Sequence, residues 1–380
     1  MTEYRLEKLF DLQMGKTPSR NNPEYWTSED HKWISIGDLS KCGKYISETK
    51  EYLSDKAVEE SGISLIPEKT VVMSFKLAIG KTAITAEPMY SNEAIMSFRD
   101  RHLVELLPDY VYYLLSGRDW DEGTNKAVMG KTLNKATLSK IKVKIHGIEQ
   151  QRDIVSVLDN VSSIITARQQ QLSALDDLIK ARFVEMFGDP LLTSTDRKKL
   201  SDLGQVFTGN TPSMKVPEYY ISDDIPFVKP GDIAENDVTC IKKVDSFISE
   251  NARGVARIIP PNSVLVTCIG TIGKIGINES ECCCNQQINY IVPKKEVLPI
   301  YLACCISFFK EVLTDMANAP VVPIINKTQF SAIEVPVAQY DEQNQFADFV
   351  KQIDKSKVAV QKALDESQLL FDSLMQKYFG

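Results

Sequence analysis

The stretch GKTPSRNNPEYWTSEDHKWISIGD, residues 15 to 38, returns without gaps as GNTPSMKVPEYYISDDIPFVKPGD at residues 209 to 232. The two share Gly-x-Thr-Pro-Ser, then Pro-Glu-Tyr, a Ser and an Asp at equal spacing, and the closing Gly-Asp, so the chain contains an internal repeat. Moving outward, the match resumes one residue out of phase: IPEKTVVMSFKLAIGKTA (66 to 83) faces IPPNSVLVTCIGTIGKIG (259 to 276), and Asn92 faces Asn285. One further slip sets LNKATLSKIKV (133 to 143) opposite INKTQFSAIEV (325 to 335), and both halves close on Phe-Gly, at 187–188 and 379–380. The period of about 190 residues is far longer than the 20–45 of a solenoid repeat. What is duplicated is a whole domain with an appendage, and the architecture is expected to be pseudo-symmetric.

Within each half the pattern changes once. The opening portion mixes short β-rich runs, such as Val71-Val72-Met73-Ser74 and Val264-Leu265-Val266-Thr267, with Gly and Pro punctuation. After Glu149 and after Asp341 Gly and Pro vanish for almost forty residues. Positions 346, 349, 353, 357, 360, 364, 367, 371, 374 and 378 then step by three and four and are apolar except at Lys357 and Ser367. The equivalent series from 154 to 186 includes Val157 and breaks only at Arg168 and Arg182. Each segment is expected to form one helix of about 38 residues, about 57 Å long. Each would bury its stripe against the other: Ile154, Val161, Leu172, Leu175 and Ile179 from the first, Phe349, Ile353, Leu364, Phe371 and Leu374 from the second. Parallel and antiparallel pairing both remain open, antiparallel pairing implying a twofold, and a plain helical linker is the alternative to a rod. The expected division is a globular domain at 1–147, a helix at 148–188, a second globular domain at 189–339 and a second helix at 340–380.

Composition narrows the function classes. Over 380 residues, 43% are hydrophobic and 25% charged, which excludes fibrous and wholly disordered chains, and the net charge of −7 speaks against coating nucleic acid by bulk positive charge. The two helical segments carry −2 each, the first globular part is neutral and the second carries −3. No apolar run reaches the length of a membrane span, and the opening MTEYRLEKLF lacks a secretory signal, so a cytoplasmic protein is expected. The eight cysteines include no C-x2-C pair, and the three histidines lie in the first half while seven cysteines lie in the second. Packed, reduced thiols are expected, and no metal site.

Motifs of catalysis fail one by one. Gly-Lys-Thr occurs at 15–17, 80–82 and 130–132, but the residues five before each Gly are Phe10, Phe75 and Asn125, where a phosphate-binding loop needs Gly. There is no GxGxxG and no Asn/Asp-Pro-Pro-aromatic tetrad, and none of the histidines is matched in the other repeat. Asp38 and Asp232, matched after Gly, read as turn residues. No catalytic residue and no cofactor of the chain's own is expected. What remains is a basic stretch, Lys126 to Lys144, with six lysines and no acid, together with amides at matched positions. Lysines meet phosphates and side-chain amides pair with adenine. That stretch and the polar residues at matched positions of the repeat give the candidate DNA contacts: Lys16, Thr17, Lys81, Asn92, Lys131, Asn134 and Lys135 in the first half, and Asn210, Thr211, Lys274, Asn285, Gln286, Gln287, Asn326 and Lys327 in the second. Each has a structural reading beside it, Thr17 and Thr211 as turn supports, Asn134 and Asn326 as helix caps.

In this order and twice over, these elements resemble the specificity subunits of type I restriction-modification systems. The resemblance rests on Leu6-x-x-Leu9 with Gly15, Thr17, Pro18, and Leu200-x-x-Leu203 with Gly209, Thr211, Pro212. It continues through Trp33 to Asp38 and Phe227 to Asp232, the Ile-Gly-Lys elements at 79–81 and 272–274, the Leu/Ile-Asn-Lys elements, Glu149-Gln150 and Glu342-Gln343 before the helices, and Phe187-Gly188-Asp189-Pro190. It implies an α+β fold: two mixed α/β target recognition domains related by a pseudo-twofold, separated by two long antiparallel helices in a coiled coil. It also implies double-stranded DNA with a bipartite target as ligand, two methyltransferase subunits and a restriction subunit as partners, and S-adenosylmethionine, ATP and Mg bound on those partners. A free-standing two-headed repressor and a coiled-coil scaffold are the alternatives.

Overall fold

The computed structural model describes residues 1–380 apart from 77, 119, 121–124, 128–129, 194–195, 236–237, 242 and 318–322; for 125–127, 130–132 and 239 it describes the backbone alone. The chain divides into two compact units, Met1–Ala167 with Ala363–Gly380, and Arg168–Lys362. Each unit thus holds one globular head and half of each long helix.

The heads share one topology. In the first unit a five-stranded sheet runs in the order Phe10–Met14, Ile95–Asp100, Val71–Ser74, Thr82–Thr85, Tyr45–Ile46, and in the second Gly204–Thr208, Ile288–Pro293, Val264–Ile269, Thr271–Asn278, Thr239–Ile241. Three junctions are antiparallel and the edge junction is parallel in both. The central strands carry Val, Leu and Met on both faces because both faces are covered, so they read as continuous apolar runs instead of alternating ones. A three-stranded sheet stands beside it, His31–Ile34 between Glu51–Leu53 and Tyr90–Ser91, and likewise Ile225–Val228 between Phe247–Ile248 and Cys283–Cys284. Strand Thr2–Arg5 pairs with Lys142–Ile145, and Arg197–Lys199 with Glu334–Pro336, so each head closes on its own beginning before the helix leaves. Even the strained turns repeat: Lys69 and Asn262 hold φ of 58° and 64°, and Gly80 and Gly273 hold 86° and 79°. The glycine of Ile-Gly-Lys is therefore there for a left-handed turn.

The long helices run Ile148–Phe187 and Tyr340–Phe379, 40 residues each, slightly beyond the expected 38. In the first unit Ile154 and Leu158 share a core with Phe371, Leu374 and Met375. In the second, Ile179 and Phe183 share one with Phe346, Val350, Phe349 and Ile353. Within that second unit Phe183 meets Phe346 with ring centroids 5.3 Å apart while Asp176 meets Lys357 at 2.5 Å, so the helices are antiparallel. Ile154, Val161 and Ile179 are buried, and Leu172, Leu175, Phe349, Ile353, Leu364, Phe371 and Leu374 are half-buried. Val157 departs from expectation at 38% exposed; Leu158 beside it is fully buried, because the stripe opens with a step of four and not three. The seam breaks also have reasons. Lys357 is answered by Asp176, and the Ser367 hydroxyl donates to the Ala363 carbonyl at 2.7 Å.

Six of the eight cysteines are buried and none is in a disulfide. Burial pushes the thiols of Cys268, Cys282 and Cys283 up to about 12. Iodoacetamide at pH 8 is expected to spare all six buried thiols in the native protein and to label only Cys42 and Cys240; mass spectrometry of the tryptic peptides checks this.

Candidate nucleic-acid interface

One end of the five-stranded sheet gathers the matched polar residues in each head. In the first unit strand Phe10–Met14 ends there, Ile95–Asp100 begins, Val71–Ser74 ends and Thr82–Thr85 begins. The Asn-Lys helix is tied to the same end by Leu133 N–H to Phe75 O at 3.1 Å, and Phe75 N–H in turn donates to Ala94 O at 3.0 Å. The second unit repeats the arrangement through Ile325 N–H to Cys268 O at 2.9 Å and Cys268 N–H to Gln287 O at 2.7 Å.

The Gly-x-Thr-Pro loop is laid directly on a neighbouring strand's backbone. Gly15 and Lys16 donate to Ile95 O and Ser91 O at 3.1 and 2.8 Å; Gly209 and Asn210 donate to Ile288 O and Cys284 O at 3.0 and 2.9 Å. A Cβ at Gly15 would stand 2.2 Å from Ser91 O, and one at Gly209 2.3 Å from Asn285 O, so only glycine allows this approach. Gly209→Ala is expected to destabilise the second head by about 1–3 kcal/mol, measured by denaturant unfolding.

Above that loop the threonines reach across. Thr17 Oγ1 donates to Glu93 Oε2, and Thr211 Oγ1 donates to Gln286 Oε1 at 2.7 Å. The asparagines expected as readers have other work. Asn92 Oδ1 accepts from Ala94 N–H and Asn285 Oδ1 from Gln287 N–H, both at 3.0 Å, which makes each the anchor of a tight turn; Asn285 Nδ2 also donates to Gln287 Oε1 at 2.9 Å. Asn134 and Asn326 cap helices by accepting from Thr137 N–H and Gln329 N–H at 2.8 and 2.9 Å, so their structural reading describes their geometry. Asn210 is held between Val255 O and Arg257 N–H, each at 2.8 Å. Asp38 and Asp232 accept from the backbone N–H of Ser35 and Lys229 at 2.8 and 2.7 Å, turn roles as expected.

The lysines are more available. Lys81, Lys135 and Lys327 are exposed, the last with its ammonium 5.5 Å from the Phe207 ring. Lys16 reaches the Ser61 carbonyl, and Lys274, half-buried, reaches Pro230 O at 3.5 Å. The side chain of Lys131 lies outside the described residues. Two residues of this end escaped the reading from sequence. Glu93 stands opposite Gln286, where a search for identities passes over it. Arg20 lies over Trp26, 3.7 Å from its centroid, with Glu51 held by Nη1 and by Nη2 at 3.0 Å.

Each head is clamped to its helix by a buried glutamine. Gln343 Oε1 accepts from Leu298 N–H at 2.8 Å, and Nε2 donates to Glu296 O and Ala338 O at 3.3 and 2.9 Å. Its counterpart is Gln151, with Leu107 N–H, Glu105 O and His146 O at 3.0, 3.0 and 2.9 Å. The Glu-Gln tag at 149–150 is thus one residue out of register: Gln150-Gln151 stands opposite Glu342-Gln343. Among the described residues no group of three His, Cys, Asp or Glu could hold a metal ion, and no helix is long and apolar enough to cross a membrane. Chemically, this surface offers hydrogen bonds and cations around rigid turns, the means of recognising a polyanion with edges to read.

Two copies of one head, each clamped to a long helix and presenting one polar sheet end, define a duplicated two-headed protein. Residues 1–175 and 195–367 match the family described as type I restriction modification DNA specificity domain, and the chain belongs to that family. It is 26% identical to the type I restriction enzyme MjaIX specificity subunit of Methanocaldococcus jannaschii over 270 residues, 65% of this chain and 61% of that protein. It is 34% identical to the HindI specificity subunit of Haemophilus influenzae over 145 residues, 37% of this chain and 31% of that one. These alignments span less than two thirds of either relative's length. Among solved structures, the type I restriction-modification S subunit from M. genitalium aligns with a TM-score of 0.52 at 14% identity, covering 100% of this chain and 96% of that one. A chain from the structure describing complex assembly and conformational transition of the type I R-M system aligns with a TM-score of 0.59, also at 14%, covering 100% and 97%. At that identity the likeness is one of fold.

Proposed function

We propose that this chain is the non-catalytic, DNA-reading subunit of a type I restriction-modification enzyme. Each head reads one half of a bipartite duplex target, and the helices set the spacer between the halves and dock two methyltransferase subunits. Methylation of adenine N6 with S-adenosylmethionine, and cleavage with ATP and Mg where a restriction subunit joins, belong to those partners. The observation that supports this reading is that the same assembly of Gly-x-Thr-Pro loop, glycine turn and capped Asn-Lys helix is built at the same sheet end twice in one chain. Neither head is basic in sum, so affinity comes from local lysines and from the partners.

Co-expression with an adenine methyltransferase subunit, followed by sequencing of modified bases, is expected to give methylated adenines in one split motif. Methylation without a shared split motif would overturn the reading. Four residues added to both helices lengthen each by about 6 Å, against about 3.4 Å per base pair, so the spacer is expected to change by about one or two pairs in the same assay. An unchanged spacer would remove the ruler role while leaving the reading of two half-sites.

A further inference from the structure

We infer that residues 93 and 286 are one base-reading position occurring in both heads, and that Glu93 selects a C·G pair where Gln286 selects an A·T pair. This rests on the proposed DNA-reading role and goes beyond it by assigning a position and a base class to each head.

The two positions are geometrically the same. Each follows the turn-anchoring asparagine, Asn92 or Asn285, whose Oδ1 accepts from the N–H two residues on at 3.0 Å. Each side chain is exposed at the sheet end, yet each is gripped by the threonine of the Gly-x-Thr-Pro loop, Thr17 or Thr211. An exposed side chain held in one rotamer from a separate loop loses little freedom on binding. It also keeps capacity for a ligand. Thr17 takes Oε2 of Glu93, leaving Oε1; Thr211 takes Oε1 of Gln286, leaving the Nε2 donors and a second lone pair.

What differs is the chemistry. A carboxylate only accepts, and in the major groove it suits the N4 amino group of cytosine. A carboxamide accepts and donates, and it suits the N6 and N7 pair of adenine. A carboxylate near phosphates also needs cations, and the first head supplies them. Hydrogen bonding by Thr17 and the nearby charges of Lys76 and Arg20 hold the Glu93 carboxyl below its ordinary range. In the second head the positions matched to Lys76 and Arg20 are Ile269 and Met214. The acid has two cations nearby, Lys76 and the Arg20 that also holds Glu51, and the neutral amide has neither at the matched positions, a correlated change within one molecule.

The test uses the full chain co-expressed with its methyltransferase partner, with methylated motifs read by sequencing. Glu93→Gln is expected to shift preference at one position of one half-site from C·G to A·T by roughly tenfold, leaving the other half-site unchanged. Gln286→Glu is expected to give the mirror result in the other half-site. Thr17→Val is expected to broaden the same single position as Glu93→Gln, a change that a merely structural role would not confine to one base pair. If Glu93→Gln fails to fold, as judged by its thermal unfolding, Gln286→Glu decides alone. An intact split motif indifferent to the substitutions in folded protein overturns this inference only. A wild-type complex with no split motif overturns the underlying DNA-reading role and this inference with it.

Discussion

Phe183→Ala is expected to destabilise the second unit by about 3–5 kcal/mol, the range for emptying a fully buried aromatic position. Phe183 has no exposed surface, and its ring packs on Phe187, Tyr301, Phe308 and Phe346 with centroids 4.9, 5.4, 5.4 and 5.3 Å away. Those rings come from the closing turns of the first long helix, the short helix Pro299–Ser307 with the residue after it, and the opening turns of the second long helix. One truncation therefore loosens three elements. Aromatic contacts add to the burial of area, and five rings leave no small side chain free to refill the space. Hydrogen exchange is the sharper readout: amides of 299–307 and 340–350 are expected to lose protection while those of 108–116 in the first unit keep theirs. Val184→Ala, at a neighbouring but exposed position, serves as the control and is expected to stay within about 0.5 kcal/mol of the parent. A loss below 1 kcal/mol for Phe183→Ala would mean that the cluster is not the core it looks to be.

Gln343→Leu is expected to cost about 2 kcal/mol although it preserves volume and adds apolar surface. Three part-buried backbone groups, Leu298 N–H, Glu296 O and Ala338 O, lose their partner; a stranded buried group costs about 1–3 kcal/mol, and water reaching the half-open sites, Glu296 being exposed, recovers much of the sum. Gln151→Leu offers an independent repeat of the experiment, because it strands Leu107 N–H, Glu105 O and His146 O in the other unit. The two sites share no partner, so the losses in the double variant are expected to add within about 0.5 kcal/mol in denaturant titrations. In the proposed reading each clamp also orients a head on its helix. Each single variant is then expected to blur one half-site in the methylation assay and leave the other sharp.

Much of this is legible in the amino-acid sequence. The repeat alone implied two heads of one topology, and the sheets bear that out strand by strand. Loss of Gly and Pro with a three-four apolar rhythm implied the two long helices, since only a helix returns apolar residues to one face at that spacing. The rhythm failed locally at Val157 because Val157 and Leu158 are both apolar, and a 3.6-residue turn can present either; the neighbouring surface made the choice. Asparagine was the hardest residue to place. Asn92, Asn134, Asn285 and Asn326 recur at matched positions, which signals a role without saying whether the amide faces a ligand or a backbone N–H. Glu93 was missed for the opposite reason: it differs from Gln286, so the comparison that found the repeat passed over the position where the two heads diverge.

By itself, then, the sequence determined the duplication, the two helical segments, the glycines under the loops and the family, because all of these depend on local pattern and on order along the chain. Tertiary structure alone decided which polar side chains serve the scaffold and which are turned outward. Thr17 finds Glu93 and Thr211 finds Gln286 across separations of 76 and 75 residues, and Gln343 finds Glu296 across 47. A hydrogen-bonding group takes its role from whichever donor or acceptor folding brings within hydrogen-bonding reach, and for these residues that partner comes from a distant strand or loop.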